Sequence, residues 1–191
     1  MLWEGGTVAS DPTRRLILLR HAKSAWPDDV PDHERRLAPR GRRDAPVAGI
    51  WLRETDHVPD RVLCSTAVRA RETWQFAEEK LGAHPQTVFE DGVYGASSAE
   101  LLALASQTAA DVRTLLIVGH DPAVRGLTLD LAGEQPGDAG AEALSRVRAK
   151  YPTAAIAVLS FQGDWAELSL GQAQLVEFVV PGDFHTAHGR R

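Results

Sequence analysis

Arginine and histidine side chains stand together at the end of a strongly apolar stretch of the sequence. Residues 16–19 read Leu-Ile-Leu-Leu, and Arg20 and His21 follow them directly. Four consecutive apolar residues of this kind predict a strand buried on both faces, as in a mostly parallel sheet covered by helices. We therefore expect Arg20 and His21 at the carboxyl edge of the sheet, where open α/β sheets form their ligand crevice.

A second segment repeats this pattern further along the chain. Residues 114–118 read Thr-Leu-Leu-Ile-Val and predict another buried strand, which Gly119 and His120 follow. Asp121 is of the type that caps a helix, and Pro122 is of the type that opens one. The sequence thus predicts His120 beside a helix N-terminus, a natural anion site.

A third segment carries arginines at the start of a helix. Residues 61–64 predict a short strand, and residues 67–81 predict a helix that stops at Gly82. The guanidinium is a planar fork that matches phosphate oxygens, so Arg20 and Arg69 suit a phosphate clamp. Arg71 is expected to face solvent or to pair with a carboxylate.

Two histidines and two arginines together suit phosphoryl transfer. This reaction needs a nucleophile in line with the leaving group and positive donors around the equatorial oxygens. His21 can attack phosphorus through one ring nitrogen if the other donates to a backbone carbonyl and fixes the tautomer. His120 would hold a phosphate oxygen, and Lys23 and Ser24 are expected to contribute to the phosphate pocket.

The remaining segments alternate between strand and helix patterns. This alternation predicts an α/β three-layer sandwich, with a mostly parallel central sheet flanked by helices. Residues 133–140 are predicted to be a flexible loop, and residues 165–168 a short hairpin partner. Further helices are predicted over residues 39–54, 97–104, 122–131 and 141–150, and the second of these begins with a capping box at 97–100. Further strands are predicted over residues 87–89, 154–159 and 175–180.

Composition limits the classes of function. We expect one domain over residues 14–182, with flexible tails at 1–13 and 183–191. The net charge of -5 argues against nucleic-acid binding, although residues 14–53 hold ten Lys or Arg against five Asp or Glu. The single cysteine excludes an intramolecular disulfide and fits a reducing cytoplasm. No stretch approaches a membrane span of roughly 20 apolar residues, and the first residues lack a secretory signal pattern.

Three motifs in order resemble those of the histidine phosphatase superfamily, which includes the phosphoglycerate mutases. The sequence is most similar to its short bacterial branch, the phosphohistidine phosphatases, and the likeness covers roughly residues 14–180. The motifs lie at residues 18–24, 65–73 and 118–122, and residues 32–37 and 94–97 also look like segments of that branch. The resemblance implies a phosphoglycerate mutase-like fold, and hydrolysis of a phosphohistidine through a covalent intermediate at His21.

The resemblance also implies the partners and the remaining site residues. The substrate would be a phosphorylated protein or a small phosphorylated molecule, and we expect a monomer. We expect no metal and no cofactor, because Arg20, Arg69 and His120 supply the positive charge that a metal would otherwise supply. The acid that protonates the leaving group would be Asp91 or Glu90. Ala22 stands where the wider superfamily has glycine, and a positive φ there would strain alanine.

Four alternatives stay open. A cysteine phosphatase would need Cys-x5-Arg, but Cys64 is followed at that spacing by Ala70. A non-catalytic phosphate-binding module would not need His21 and His120. A mutase of this superfamily would carry additional segments over the site, for which the chain has little length. A small-molecule phosphomonoesterase would present the same clamp to a different substrate.

Overall fold

The computed structural model describes residues 13–133 and 137–184. Its strands are β1 Thr13–Arg20, β2 Arg61–Ser65, β3 Gln86–Glu90, β4 Thr114–Gly119, β5 Ile156–Gln162 and β6 Gln174–Val179. They form one sheet in the order β3-β2-β4-β1-β5-β6. The pairs β1–β4, β2–β4 and β2–β3 are parallel, whereas β5 runs antiparallel to both of its neighbours. The predicted mostly parallel sheet is confirmed.

Helices cover both faces of the sheet. They are α1 Pro39–Glu54, α2 Val68–Leu81, α3 Ser98–Ser106, α4 Ala123–Leu131 and α5 Gly137–Ala149. In β1, Leu16 and Leu18 belong to the core under α3, α4 and α5, whereas Ile17 and Leu19 belong to the core under α1 and α2. All four side chains are fully buried. The unbroken apolar run therefore marks a strand covered on both sides, as predicted.

Local signals place several helix ends as predicted. Pro39 occupies the first turn of α1, where its missing N–H costs nothing. α2 ends at Gly82, whose φ of 76° is left-handed. α3 begins with the predicted capping box, in which the Ser97 N–H donates to Oε2 of Glu100 at 2.8 Å.

Four predictions of local structure are wrong. α5 begins at Gly137, within the predicted loop, of which residues 134–136 lie outside the described part of the chain. Trp165–Glu167 forms a 3-10 turn and not a strand. The turn buries the indole, whose N–H donates to the carbonyl of Val112 at 2.8 Å. Asp121 makes no capping hydrogen bond, and Pro122 precedes α4 instead of opening it.

The folded part extends slightly beyond the predicted domain limits. Thr13 belongs to β1. Asp183 accepts from Arg146 at 2.5 Å, and Phe184 is 2% exposed beside Trp51. Residues 1–12 and 185–191 of the predicted tails lie outside the described part of the chain.

The carboxyl ends of β1 and β4 meet at one edge of the sheet. Arg20 is in register with Gly119. Beyond β1 the chain loops out and returns, and Ser24 then pairs with Leu37 in an antiparallel bridge. The first turn of α1 packs tightly against this return, because a Cβ at Gly41 would lie 2.2 Å from the carbonyl oxygen of Lys23.

Candidate active site

His21 lies at the end of β1 and is 8% exposed. Its Nδ1 is 2.7 Å from the carbonyl oxygen of Ala22, and its Nε2 is 3.3 Å from Nε of Arg69. Because the carbonyl can only accept and the guanidinium can only donate, Nδ1 carries the proton and Nε2 carries the lone pair. This is the arrangement that the sequence analysis required of a nucleophile.

The environment keeps the His21 ring neutral. Burial, reinforced by nearby His120, Arg69 and Arg20, lowers the pKa of His21 to about 3, against the opposing effect of the hydrogen bond to Ala22. The Nε2 lone pair is therefore available at neutral pH. Ala22 is not among the described residues with positive φ, so alanine fits there without strain.

Arg69 projects from the first turn of α2 and is 6% exposed. Besides the contact with His21, its Nη2 lies 3.4 Å from Nδ1 of His120. Its Nη1 donates to the carbonyl of Asp32 at 2.5 Å, and Nη2 donates to Oδ2 of Asp32 at 2.9 Å. The guanidinium thus sits between two imidazoles and a carboxylate. Arg71 is exposed, as expected, with its guanidinium over Phe89.

His120 faces His21 across the sheet edge, with the ring centroids 5.1 Å apart. Its Nε2 is 2.7 Å from Oγ of Ser65. Since Arg69 can only donate to Nδ1, Nε2 carries the proton and donates to the serine hydroxyl. Burial and the charge of Arg69 lower the pKa of His120 to about 4, so this ring is also neutral. Ser65 was not predicted to belong to the site, although it ends β2 at the same edge.

Arg20 completes the positive charge of the site. Its Nη1 donates to the carbonyl of Tyr151 at 2.6 Å and lies 4.0 Å from Oδ2 of Asp121. The Nε is buried and has no hydrogen-bond partner among the described residues. The charge of Arg20 contributes to the lowered pKa of both His21 and His120. The structure thus brings Arg20, His21, Arg69 and His120 together.

Lys23 and Ser24 occupy different environments. Lys23 is exposed, and no polar side-chain contact is found for it among the described residues. Ser24 is buried, and its Oγ accepts from Nη2 of Arg35 at 2.5 Å. The hydroxyl of Ser24 therefore serves the loop that follows β1, and a direct role of Lys23 and Ser24 in phosphate binding stays a prediction.

Glu90 and Asp91 lie at the end of β3. Oε1 of Glu90 accepts from the N–H of Gly92 at 3.0 Å, and the side chain lines a small cavity on the α3 side of the sheet with Leu104. Asp91 is exposed, and its backbone carbonyl accepts from the Tyr94 N–H at 3.0 Å. Within the described part of the chain neither carboxylate contacts His21, Arg69 or His120. A role as general acid stays a prediction for both.

The loop between β1 and α1 supplies residues that the sequence analysis missed. Asp32 contacts Arg69 as described above, and the hydroxyl of Tyr94 donates to Oδ2 of Asp32 at 2.9 Å. His33 packs edge-on against Tyr94 at 4.7 Å. The likeness of residues 32–37 and 94–97 to segments of the phosphohistidine phosphatase branch was a signal for this cluster, although it assigned no role to Asp32 or Tyr94.

Cys64 does not suit a nucleophile. It is fully buried in β2, and burial raises the pKa of its thiol far above the usual range. The cysteine phosphatase alternative therefore loses its nucleophile. Within residues 13–133 and 137–184 no three His, Cys, Asp or Glu side chains form a group able to hold a metal ion, and no helix is long and apolar enough to cross a membrane.

Comparisons with known proteins show the family of the chain. The profile of the histidine phosphatase superfamily (branch 1) matches residues 16–91. Rv1276c of Mycobacterium tuberculosis, an uncharacterized protein, is 42% identical over 163 residues, which are 85% of this chain and 99% of that protein. A solved structure from Nakamurella multipartitia, provisionally named phosphohistidine phosphatase SixA, matches with a TM-score of 0.77 at 34% identity, covering 91% of this chain and 99% of that one. The chain belongs to the histidine phosphatase superfamily.

Membership of this superfamily confirms the expected fold and enzyme class. A phosphoglycerate mutase of Plasmodium falciparum matches with a TM-score of 0.57 at 16% identity, covering 88% of this chain and 91% of that one, a likeness of fold alone. The phosphoglycerate mutase-like α/β fold is therefore confirmed. This histidine phosphatase is a hydrolase that acts on phosphoryl groups.

Proposed function

We propose that this phosphatase hydrolyses phosphohistidine on a protein, through a covalent phosphohistidine intermediate at His21. The observation that carries the proposal is the buried, neutral His21, whose Nε2 lone pair faces Arg69 while Nδ1 donates to the Ala22 carbonyl. Such a ring is a nucleophile whose orientation is fixed before substrate arrives.

The reaction proceeds in two displacements. Nε2 of His21 attacks phosphorus, the P–N bond to the substrate imidazole breaks, and the departing nitrogen takes a proton from the solvent. Water then attacks phosphorus, the bond to Nε2 breaks, the water returns one proton to the solvent, and inorganic phosphate leaves. Arg20 and Arg69 donate to the equatorial oxygens in both steps. The charge of these arginines serves where other phosphatases use a metal ion.

His120 donates a hydrogen bond to the substrate only once an anion is bound. In this structure its Nδ1 offers a lone pair to Arg69, so Nδ1 must first carry a proton, through protonation of the ring or through the other neutral tautomer, before it can donate to a phosphate oxygen. A phosphoryl dianion beside the ring favours this protonation, because an opposite charge raises the pKa of histidine.

Two features support a protein-borne phosphohistidine over a small phosphomonoester. Within the described part of the chain the carboxylates of Glu90 and Asp91 make no contact with His21 or His120, and imidazole departs with less help from an acid than an alkoxide does. Aromatic side chains near the site are accessible to a protein-borne substrate: 37% of Tyr94, which lies edge-on to His120, is exposed, and 73% of Trp26, which stacks on Arg35, is exposed. The relative from Nakamurella multipartitia carries the same provisional assignment in its name.

The test is a comparison of substrates on the purified protein. A phosphohistidine peptide and a panel of alkyl and aryl phosphomonoesters are assayed, with and without a chelator. We expect the highest kcat/KM on phosphohistidine, turnover that survives the chelator, and an acid-labile phosphoenzyme that His21→Ala abolishes. Turnover of phosphomonoesters without measurable phosphohistidine hydrolysis would contradict the substrate assignment. Turnover lost with the chelator and restored by added zinc or magnesium would contradict the metal-free mechanism.

A further inference from the structure

The loop between β1 and α1 places a carboxylate on the arginine of the active site. Asp32 opens a 3-10 turn, Asp32–Glu34, in this loop. Its Oδ2 accepts from Nη2 of Arg69 and from the hydroxyl of Tyr94, each at 2.9 Å, and its Oδ1 accepts from Nη1 of Arg35 at 2.6 Å. Both carboxylate oxygens are therefore engaged.

Asp32 is ionised throughout the range in which the enzyme would work. Desolvation acts to raise its pKa, but hydrogen bonds from Tyr94, Arg35 and Arg69 outweigh this effect and bring the pKa to about 2. An ionised carboxylate has no proton to give to a leaving group. Asp32 is therefore a poor candidate for the general acid.

The contacts of Arg69 fall on two sides of its guanidinium. Its Nη1 and one hydrogen of Nη2 are directed at the carbonyl and the carboxylate of Asp32. Its Nε and the second hydrogen of Nη2 are directed at the ring nitrogens of His21 and His120. A phosphoryl group between the two rings would thus meet the Nε–Nη2 edge, which the contacts with Asp32 leave available.

We propose that Asp32 is a positioning residue, which holds the Nε–Nη2 edge of Arg69 toward His21 and His120. The proposal rests on the proposed function, because it names the residue that orients the phosphate clamp of that site. Asp32 acts through Arg69 and does not touch the substrate.

The position of Asp32 is itself fixed by a buried arginine. Arg35 is 5% exposed, and it donates to Oγ of Ser24 at 2.5 Å and to the carbonyl of Ala25 at 2.9 Å. The ring of Trp26 stacks on its guanidinium, 3.2 Å from ring centroid to Cζ. These contacts hold the loop against the segment that directly follows His21. The same segment therefore positions both Asp32, which orients Arg69, and His21.

A competing explanation makes the opposite prediction. A carboxylate beside an anion site could occupy the clamp in place of phosphate and so weaken phosphate binding. Removal of its charge would then tighten the binding of phosphate, whereas loss of a positioning residue would weaken it.

The experiment is a double-mutant cycle of Asp32→Asn with Arg69→Ala. Affinity for inorganic phosphate is measured by NMR titration, and kcat/KM is measured on a phosphohistidine peptide. Misplacement of a catalytic group can lower the reaction rate by as much as about 10²-fold. We therefore expect Asp32→Asn to lower kcat/KM by roughly 10- to 100-fold and to weaken phosphate binding. In the Arg69→Ala background Asp32→Asn should have no further effect, since interacting residues are not additive.

Controls separate positioning from a general effect on the fold. Glu34→Gln removes an exposed carboxylate from the same turn and should change neither quantity. Tyr94→Phe removes one donor to Asp32 without altering the loop backbone and should give a smaller loss in the same direction.

Three outcomes would overturn the proposal. Asp32→Asn could bind phosphate more tightly, or it could keep the wild-type kcat/KM and phosphate affinity. Asp32→Asn could also lower kcat/KM and phosphate affinity as much in the Arg69→Ala protein as in the wild type. Phosphate affinity does not depend on turnover. Phosphate affinities could therefore show the expected coupling between Asp32 and Arg69 in a protein that does not hydrolyse phosphohistidine. That result would contradict the proposed function and not the positioning role.

Discussion

Arg69 directs its Nε toward the Nε2 lone pair of His21 at 3.3 Å. In the proposed mechanism, the donor that stabilises the phosphoryl oxygens is thus in contact with the atom that attacks phosphorus. A phosphoryl group that approaches Nε2 must take over this hydrogen bond, so the guanidinium is in place before the reaction begins. Preorganised donors of this kind cost no reorganisation when charge develops.

Replacement of Arg69 tests this relationship. Arg69→Ala should lower kcat/KM by about 10²- to 10³-fold, as removal of one preorganised donor does. Arg71→Ala is the matched control, because Arg71 lies two residues along the same helix, is exposed, and should change kcat/KM little. If Arg69→Ala kept the wild-type kcat/KM while Arg71→Ala lost most of it, Arg71 would be the arginine that binds the phosphoryl group.

The lowered pKa of His21 predicts a pH dependence of stability. The folded ring has a pKa of about 3 against 6.5 for the ordinary group, so below pH 6.5 the unfolded chain binds more protons than the native protein. Stability should therefore be complete above pH 6.5 and fall as the pH decreases from 6.5 toward 3. Urea unfolding at pH 7.5, 6.5, 5.5 and 4.5 measures this, and His21→Gln should reduce the slope. If His21→Gln left the pH dependence of the free energy of unfolding unchanged, groups other than His21 would cause it.

Ser65 should matter through the ring of His120. Ser65→Ala removes the partner of Nε2 in a buried site, a loss of about 1 kcal/mol, which corresponds to roughly fivefold in kcat/KM. Ser106→Ala offers a control, because its hydroxyl donates to the Leu102 carbonyl on α3 and does not contact His120. Equal effects of the two variants would mean that Ser65 contributes only to the fold.

The leaving group should decide how much an acid matters. General acid catalysis contributes roughly 10²- to 10⁴-fold, and an alkoxide needs it far more than imidazole does. The Asp91→Asn, Glu90→Gln double variant should therefore lose kcat/KM mainly on alkyl phosphomonoesters and little on phosphohistidine. Comparable losses on both substrate types would show that neither carboxylate acts as an acid that discriminates by leaving group.

Most of the fold could be predicted because its signals are local. The apolar runs of β1 and β4, Pro39, Gly82 and the capping box at Ser97 each act within a few residues. Arg20, His21 and His120 could be placed at one edge because each directly follows a strand, or ends it. The start of α5 was missed because its first turn is rich in glycine, which carries no helix signal.

The features that were missed depend on contacts between distant residues. Asp32 meets Arg69 only because the loop after β1 folds back onto α2, 37 residues further along the chain. Phe184 looked like part of a tail, yet it packs beside Trp51 of α1. Asp121 has the right type for a cap, but its carboxylate lies 3.2 Å from Arg125. Residue type alone does not determine which of several partners such a side chain takes.

Gly41 carries no reactive group, yet we expect this position to be as sensitive to mutation as His21, the proposed nucleophile. A side chain there would collide with the Lys23 carbonyl and push α1 away from the segment that follows His21. A random mutagenesis screen for lost activity should therefore recover substitutions at Gly41 alongside those at His21. The two classes would separate on heating, because Gly41→Ala forces a helix away from its neighbour and should lower the melting temperature more than His21→Gln, which keeps a polar side chain in the same pocket.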